Sequence, residues 1–158
     1  MFRELTRKNK QISNDRCIEI LKTEARGVLS VNSENGYPYC MPMNHYYCEE
    51  NNKIYFHCGK TGHRIDCLKG NNKASFCVYT KGCQENNDWA FNVESVIVFG
   101  EIKIIENRET IKNIVTKLSY KFTEDEEYIN NEIKNYLSET ILLELTPLHI
   151  CGKMVKEA

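Results

Sequence analysis

Residues 37–47 read YPYCMPMNHYY, and this run restricts the fold more than any other. Its tyrosines favour a pleated, extended backbone, yet Pro38 and Pro42 each lack the N–H that a central strand gives to its neighbour. A strand of this kind has one neighbour missing. The sheet that contains it has an edge or a break there, and the backbone groups of Met41, Met43 and Asn44 are expected to find partners other than a second strand.

The flanking segments decide what kind of sheet this is. VLSVNS (28–33) and the run from Tyr37 enclose Glu34-Asn35-Gly36, and an Asn-Gly pair between extended runs marks a hairpin. A second hairpin turns at EENNK and returns through IYFH. KASFCVY (73–79) reads as another strand, and ESVIVFGEIKIIE (94–106) as a long one in which Gly100 marks a bulge or bend. TILLELTP and HICGKMV read as two closing pieces. A first helix is expected from Asn14 to Arg26, capped by Ser13 or Asn14, burying Cys17, Ile18, Leu21 and Ala25 and stopped by Gly27. A short helix covers 62–70 with Ile65 and Leu68 inward. Ile111, Ile114, Val115 and Leu118 form an amphipathic stripe, and Glu124–Leu137 is a further helix. Loop signals fill 81–92. With 158 residues, no repeat and no Pro/Gly-rich linker, a single domain over residues 1–158 is expected. Its class is α+β, mainly β, with six or seven short strands closing into a small barrel with flanking helices.

Charge and cysteine usage narrow the partners. Twenty-one Lys plus Arg stand against 22 Asp plus Glu, so no global basic field points to nucleic acid or an anionic membrane. The longest apolar runs, SVIVF and ILLEL, are strand-sized and too short for a membrane-spanning helix. The opening residues MFRELTRKNKQ contain no apolar leader. The eight cysteines are therefore read as reduced thiols in a protein of the cytoplasm.

IYFHCGKTGHRID (54–66) is where the chemistry gathers. If Thr61 or Gly62 caps the short helix, His63 and Arg64 fall in its first turn, where unpaired N–H groups and the positive dipole end already favour an anion. Arg64 is poorly placed there for stability but well suited to phosphate oxygens, and Lys60 adds a mobile charge nearby. A solvated surface turn is the plain alternative. A metal site from Cys58, His63 and Cys67 is disfavoured because no Cys-x-x-Cys pair occurs and the spacings are irregular. Nucleophilic chemistry at Cys58 beside His57 and His63 lacks an orienting third group. For the proline-broken strand, a heterocycle with an amide-like edge is a fitting partner, and flavin's pyrimidine ring has that edge.

MFRELTRKNKQ, NGYPYCMPMNHYY, IYFHCGKTGHRID, NNKASFCV, SVIVFGEIKII and LHICGK together resemble the flavin-binding split-barrel proteins of the nitroimidazole-resistance type, relatives of pyridoxamine 5′-phosphate oxidase. The resemblance covers nearly the whole chain, and its specific part is the HCxKxGHRID pattern. It implies a six-stranded split β-barrel forming a homodimer, with FMN in a groove between subunits. It implies that the flavin phosphate meets His63 and Arg64, helped by His57 and Cys58. The segment Cys40, Met41, Pro42, Met43, Asn44 and His45 would lie along the isoalloxazine ring, and Ser95 would supply a polar flavin contact. Two departures exclude vitamin-B6 oxidase activity from the expectation: Cys40 stands where the oxidases carry an arginine, and MVKEA lacks their arginine-bearing C-terminal signature. His63 and Arg64 also replace an Arg-Lys pair, which weakens the charge when His63 is neutral.

The expected activity is reduction of small acceptors such as nitroimidazoles by electrons from reduced FMN. His45 and His57 are the candidates for giving a proton or holding the acceptor, and Tyr46 and Trp89 for stacking near the ring. The rival expectation is a non-catalytic flavin- or haem-binding protein of the same fold.

Overall fold

The structure, a computed structural model, describes residues 1–84 and 89–157, so part of the loop expected between Lys81 and Asn92 lies outside the described residues. The proline-bearing run forms β2 (Pro38–Asn44), which pairs antiparallel with β1 (Arg26–Asn32) and, among the described residues, with no other strand. Gly36, at a φ of 83°, turns the hairpin between them. β3 (Tyr46–Cys48) and β4 (Lys53–Gly59) form the second expected hairpin, and β5 (Lys73–Tyr79) matches its expected bounds.

Two long strands close the sheet. β7 (Phe91–Ile105) carries the two-residue β6 (Cys83–Gln84) on its flank and pairs along its length with β8 (Thr140–Glu157). The order is β2-β1-β5-β7-β8-β4-β3, all antiparallel. The implied six strands are thus corrected to eight among the described residues, the extra two being the very short β3 and β6. The two expected closing pieces are also one strand. Pro147 pairs with Gly100 and His149 with Phe99, leaving Leu148 as the extra residue of a bulge, so the proline interrupts the ladder locally without ending it. Gly100 is needed there because a Cβ would lie 2.2 Å from the Thr146 carbonyl oxygen.

The helices cover and fasten the sheet. α1 (Asn14–Thr23) is capped by Ser13, whose Oγ accepts from the Arg16 N–H at 3.2 Å. It buries Cys17, Ile20 and Leu21 and stops before Gly27, which belongs to β1. The expected stop signal is therefore a packing requirement: a Cβ on Gly27 would meet Phe76 Cζ at 2.5 Å and the Cys77 carbonyl oxygen at 2.6 Å. α2 (His63–Gly70) buries Ile65, Cys67 and Leu68. α3 (Arg108–Ser119) and α4 (Glu126–Tyr136) turn Ile111, Ile114 and Leu118, and Ile129 and Ile133, inward. At the end of α3, Lys121 Nζ donates to the carbonyl oxygens of Glu24 at 2.7 Å and His45 at 3.0 Å. Inside the sheet Phe56 meets Phe76 edge to face with ring centroids 4.8 Å apart, and Leu29, Leu143 and Leu145 are fully buried around them.

Candidate functional site

β2 and β4 stand near opposite ends of the strand order, yet residues of both line one groove of about 740 Å³. The sheet therefore curls until its ends face each other across a seam that backbone pairing leaves open. β2 contributes Pro42, Met43 and Asn44, β4 contributes His57 and Cys58, and the start of α2 contributes His63 and Arg64.

The alternation of an antiparallel ladder fixes which backbone groups face the seam. Ser33 N–H bonds the Tyr37 carbonyl oxygen, so the 33/37 pair is hydrogen-bonded, and the pairs two and four steps on, Val31/Tyr39 and Leu29/Met41, are too. The intervening Pro38, Cys40, Pro42 and Asn44 turn their backbone groups away from β1. Both prolines thus occupy positions where a missing N–H costs the ladder nothing. Of the three residues expected to have free backbone groups, Asn44 does, whereas those of Met41 and Met43 point into the ladder. The Asn44 side chain is held in place by Arg26, whose Nε donates to Oδ1 at 2.8 Å.

The opposite wall is electropositive for a local reason. β4 ends at Gly59, and Gly62 caps α2 at φ 121° and ψ 169°, a conformation that favours glycine, with no side chain bonding the cap. The Ile65 and Asp66 N–H groups bond back to the Gly62 carbonyl oxygen at 2.9 and 3.2 Å, so the N–H groups of His63 and Arg64 are the ones the first turn offers to a ligand. Arg64 is half-buried, with Nε 2.8 Å from Met41 Sδ, and forms no ion pair among the described residues. His63 Nε2 lies 3.2 Å from Ser33 Oγ, and its ring packs edge-on against Tyr39, tying α2 to the β1–β2 turn.

His57 is accessible but recessed among protein atoms, and this desolvation, with the nearby Arg64 charge, lowers its pKa and so favours the neutral ring. Desolvation pushes the Cys58 thiol up against the opposing pull of Arg64, which keeps it protonated near neutrality and unsuited to nucleophilic attack. Among the described residues no three His, Cys, Asp or Glu side chains converge to hold a metal ion.

Five expected site residues do not line the groove. Met41 lies buried beneath Arg64. Cys40 is exposed with Sγ 3.0 Å from Ser30 Oγ, and Lys60 is exposed on the link between β4 and α2. Ser95 lies on β7 between Tyr79 and Lys153. His45 is a correction: its ring is fully buried, bonded through Nε2 to the Leu21 carbonyl oxygen at 2.7 Å and packed edge-on against Phe76. Burial and the Lys121 charge push its pKa down to about 3, so it cannot meet or protonate a ligand in the groove. Of the two stacking candidates, Trp89 is exposed and Tyr46 is half-buried, and neither lines the groove.

Sequence reasoning missed the junction of α4 and β8, where Tyr136, Glu139 and Thr140 complete the groove. No local pattern marks them, because only the fold brings them opposite β2. The groove continues into a second cavity of about 380 Å³ beneath α3 and α4, which shares Asn44, His57, Tyr136 and Thr140 with it.

Residues 13–154 match the sequence profile of the pyridoxamine 5′-phosphate oxidase family. The chain belongs to that family. No curated protein sequence matches it significantly. Among solved structures it is similar to a candidate 5-nitroimidazole antibiotic resistance protein from Bacteroides thetaiotaomicron, with 19% identity, a TM-score of 0.77, and coverage of 93% of this chain and 87% of that one. A conserved hypothetical protein from Mycobacterium tuberculosis gives 12% identity, a TM-score of 0.79, and coverage of 95% and 90%. An FAD-binding protein from Mesorhizobium loti gives 16% identity, a TM-score of 0.66, and coverage of 92% and 97%. At these identities the likeness establishes the curled, mainly β fold with flanking helices that pyridoxamine 5′-phosphate oxidase relatives share.

Proposed function

We propose that this chain is an FMN-binding oxidoreductase that reduces small acceptors such as nitroimidazoles. The observation that carries the reading is the pairing of two unlike walls across one groove. The outward carbonyl oxygen of Pro42 and the outward N–H and carbonyl oxygen of Asn44 offer an acceptor and a donor suited to a pyrimidine-like ring, and Arg64 with the start of α2 is matched to a phosphate. The groove's volume of about 740 Å³ lies within the range of cofactor pockets, roughly 300–1,000 Å³. Membership of the family and the FAD-binding neighbour favour a flavin.

Bound flavin supplies reversible two-electron exchange, for which taking a nitro group to nitroso with two protons and release of water is a balanced use. The chain's part is to bind, orient and limit access. Neutral His57, at the shared wall of groove and cavity, is the residue placed to hold a polar substituent of the acceptor. We also propose a homodimer with FMN between subunits, with Ser95 as a polar contact to the flavin. All eight cysteines are free thiols, which supports residence in the reducing cytoplasm. No helix among the described residues is long and apolar enough to cross a membrane.

Absorbance of the purified protein is the primary test. Flavin bands, followed by bleaching with NADH, NADPH or dithionite and reoxidation by a nitroimidazole, are expected. A Soret band, or failure to take up added FMN at micromolar concentration, overturns the assignment.

A further inference from the structure

Resting on the flavin reading above, we propose that the cavity beneath α3 and α4 is the acceptor's seat and that it selects uncharged molecules built on a single aromatic ring. Its position comes first. The cavity opens into the groove through Asn44, His57, Tyr136 and Thr140, so an occupant lies beside whatever the groove holds. Its volume, about 380 Å³, admits a small ring compound and not a dinucleotide.

The lining sets the chemistry. Val115, Leu118, Ile129 and Ile133 make an apolar floor on the facing sides of the two helices. Phe122, Tyr128 and Tyr136 stand at the mouth and are 45%, 56% and 59% exposed, with no ring–ring contact among the described residues. Large aromatic faces left open around one recess are suited to stacking a ring of the ligand. Among the described residues no lysine or arginine lines the cavity and Glu132 is its one carboxylate, so an anion would enter without a counter-charge and against a like charge. His57, favoured in its neutral form, offers a hydrogen bond without adding positive charge.

The probes are 4-nitrobenzyl alcohol and 4-nitrobenzoate, which share ring and nitro group but differ in charge. Each is titrated into the full chain, with and without FMN, while backbone amide shifts are followed by NMR. The alcohol is expected to shift amides of α3 and α4 in both forms, with 4-nitrobenzoate at least about tenfold weaker. Phe122→Ala and Tyr128→Ala, both at exposed positions, are each expected to weaken alcohol binding by about three- to tenfold while leaving FMN affinity unchanged. Glu132→Gln is expected to narrow the gap between the two probes. Equal binding of both probes, shifts that avoid α3 and α4, or parent-like affinity in both aromatic variants would each overturn the inference. Failure of FMN itself to bind sinks the flavin reading instead, and the titration without FMN still reads the cavity.

Discussion

Arg64 concentrates the electrostatics of the groove, because its charge is half-buried, has no carboxylate partner among the described residues and is held against Met41. Arg64→Ala is expected to weaken FMN binding by about 10- to 100-fold, the equivalent of roughly 1.5–3 kcal/mol for a hydrogen bond to a charged group. Riboflavin, lacking the phosphate, should bind parent and variant alike. Fluorescence titrations with both ligands check this, and equal losses for the two would remove the phosphate role. Lys121 is the other consequential cation. Burial lowers its pKa from 10.5 to about 8, and Glu24 only partly offsets this. Because the folded value lies below the unfolded one, the unfolded chain holds the extra proton between about pH 8 and 10.5, and this residue's contribution to stability rises with pH across that window. Lys121→Met strands the Glu24 and His45 carbonyl oxygens and is expected to cost about 1–3 kcal/mol at pH 7. Denaturant midpoints of parent and variant at pH 7, 8.5 and 10 should show the difference widening toward alkali.

At the scale of the elements, two glycines make opposite predictions. Gly27→Ala drives a methyl into Phe76 and the Cys77 carbonyl and is expected to destabilise the protein by about 1–3 kcal/mol, measured by thermal or denaturant unfolding. Gly62→Ala has open space around the added carbon, so its effect is backbone strain of about 1–3 kcal/mol at the cap of α2, with loss of FMN affinity as the more sensitive readout. The contrast also shows what the sequence could disclose. The hairpin with its Asn-Gly turn, the proline-marked edge, the bulge at Gly100 and the stripe of α3 are written within a few residues of where they act, and each is legible in the sequence. Gly27 is ambiguous in the sequence because a glycine after a helical run has two causes, a helix stop or close packing, and the deciding atoms belong to Phe76 and Cys77. His45 was misplaced for a related reason: it directly follows β2 and leaves the seam for the core, a change of side that no residue type announces. Tyr136, Glu139 and Thr140 were invisible because their place opposite β2 depends on the curl of the whole sheet.

For the whole molecule, the face around the β7–β8 bulge is the element most in need of a cover. Phe2, Phe99 and Leu148 are 43%, 37% and 56% exposed there, with Phe2 stacked on Phe99 and on His149 at centroid distances of 5.5 and 5.1 Å. A second copy of the chain is the proposed cover. Light scattering is expected to give twice the chain mass of 18.5 kDa, and Leu148→Asp to shift the population toward the single chain with a parallel loss of FMN. A monomer that retains tight FMN would contradict an intersubunit site. The open seam has a last consequence. Since no backbone ladder joins β2 to β4 among the described residues, the distance between those jaws is set by side-chain packing, with Met41 and Met43 of β2 sharing the core with Ile54 and Phe56 of β4 beneath the groove. Exchange of a few of these side chains could retune the aperture for a different guest while the scaffold stays as it is.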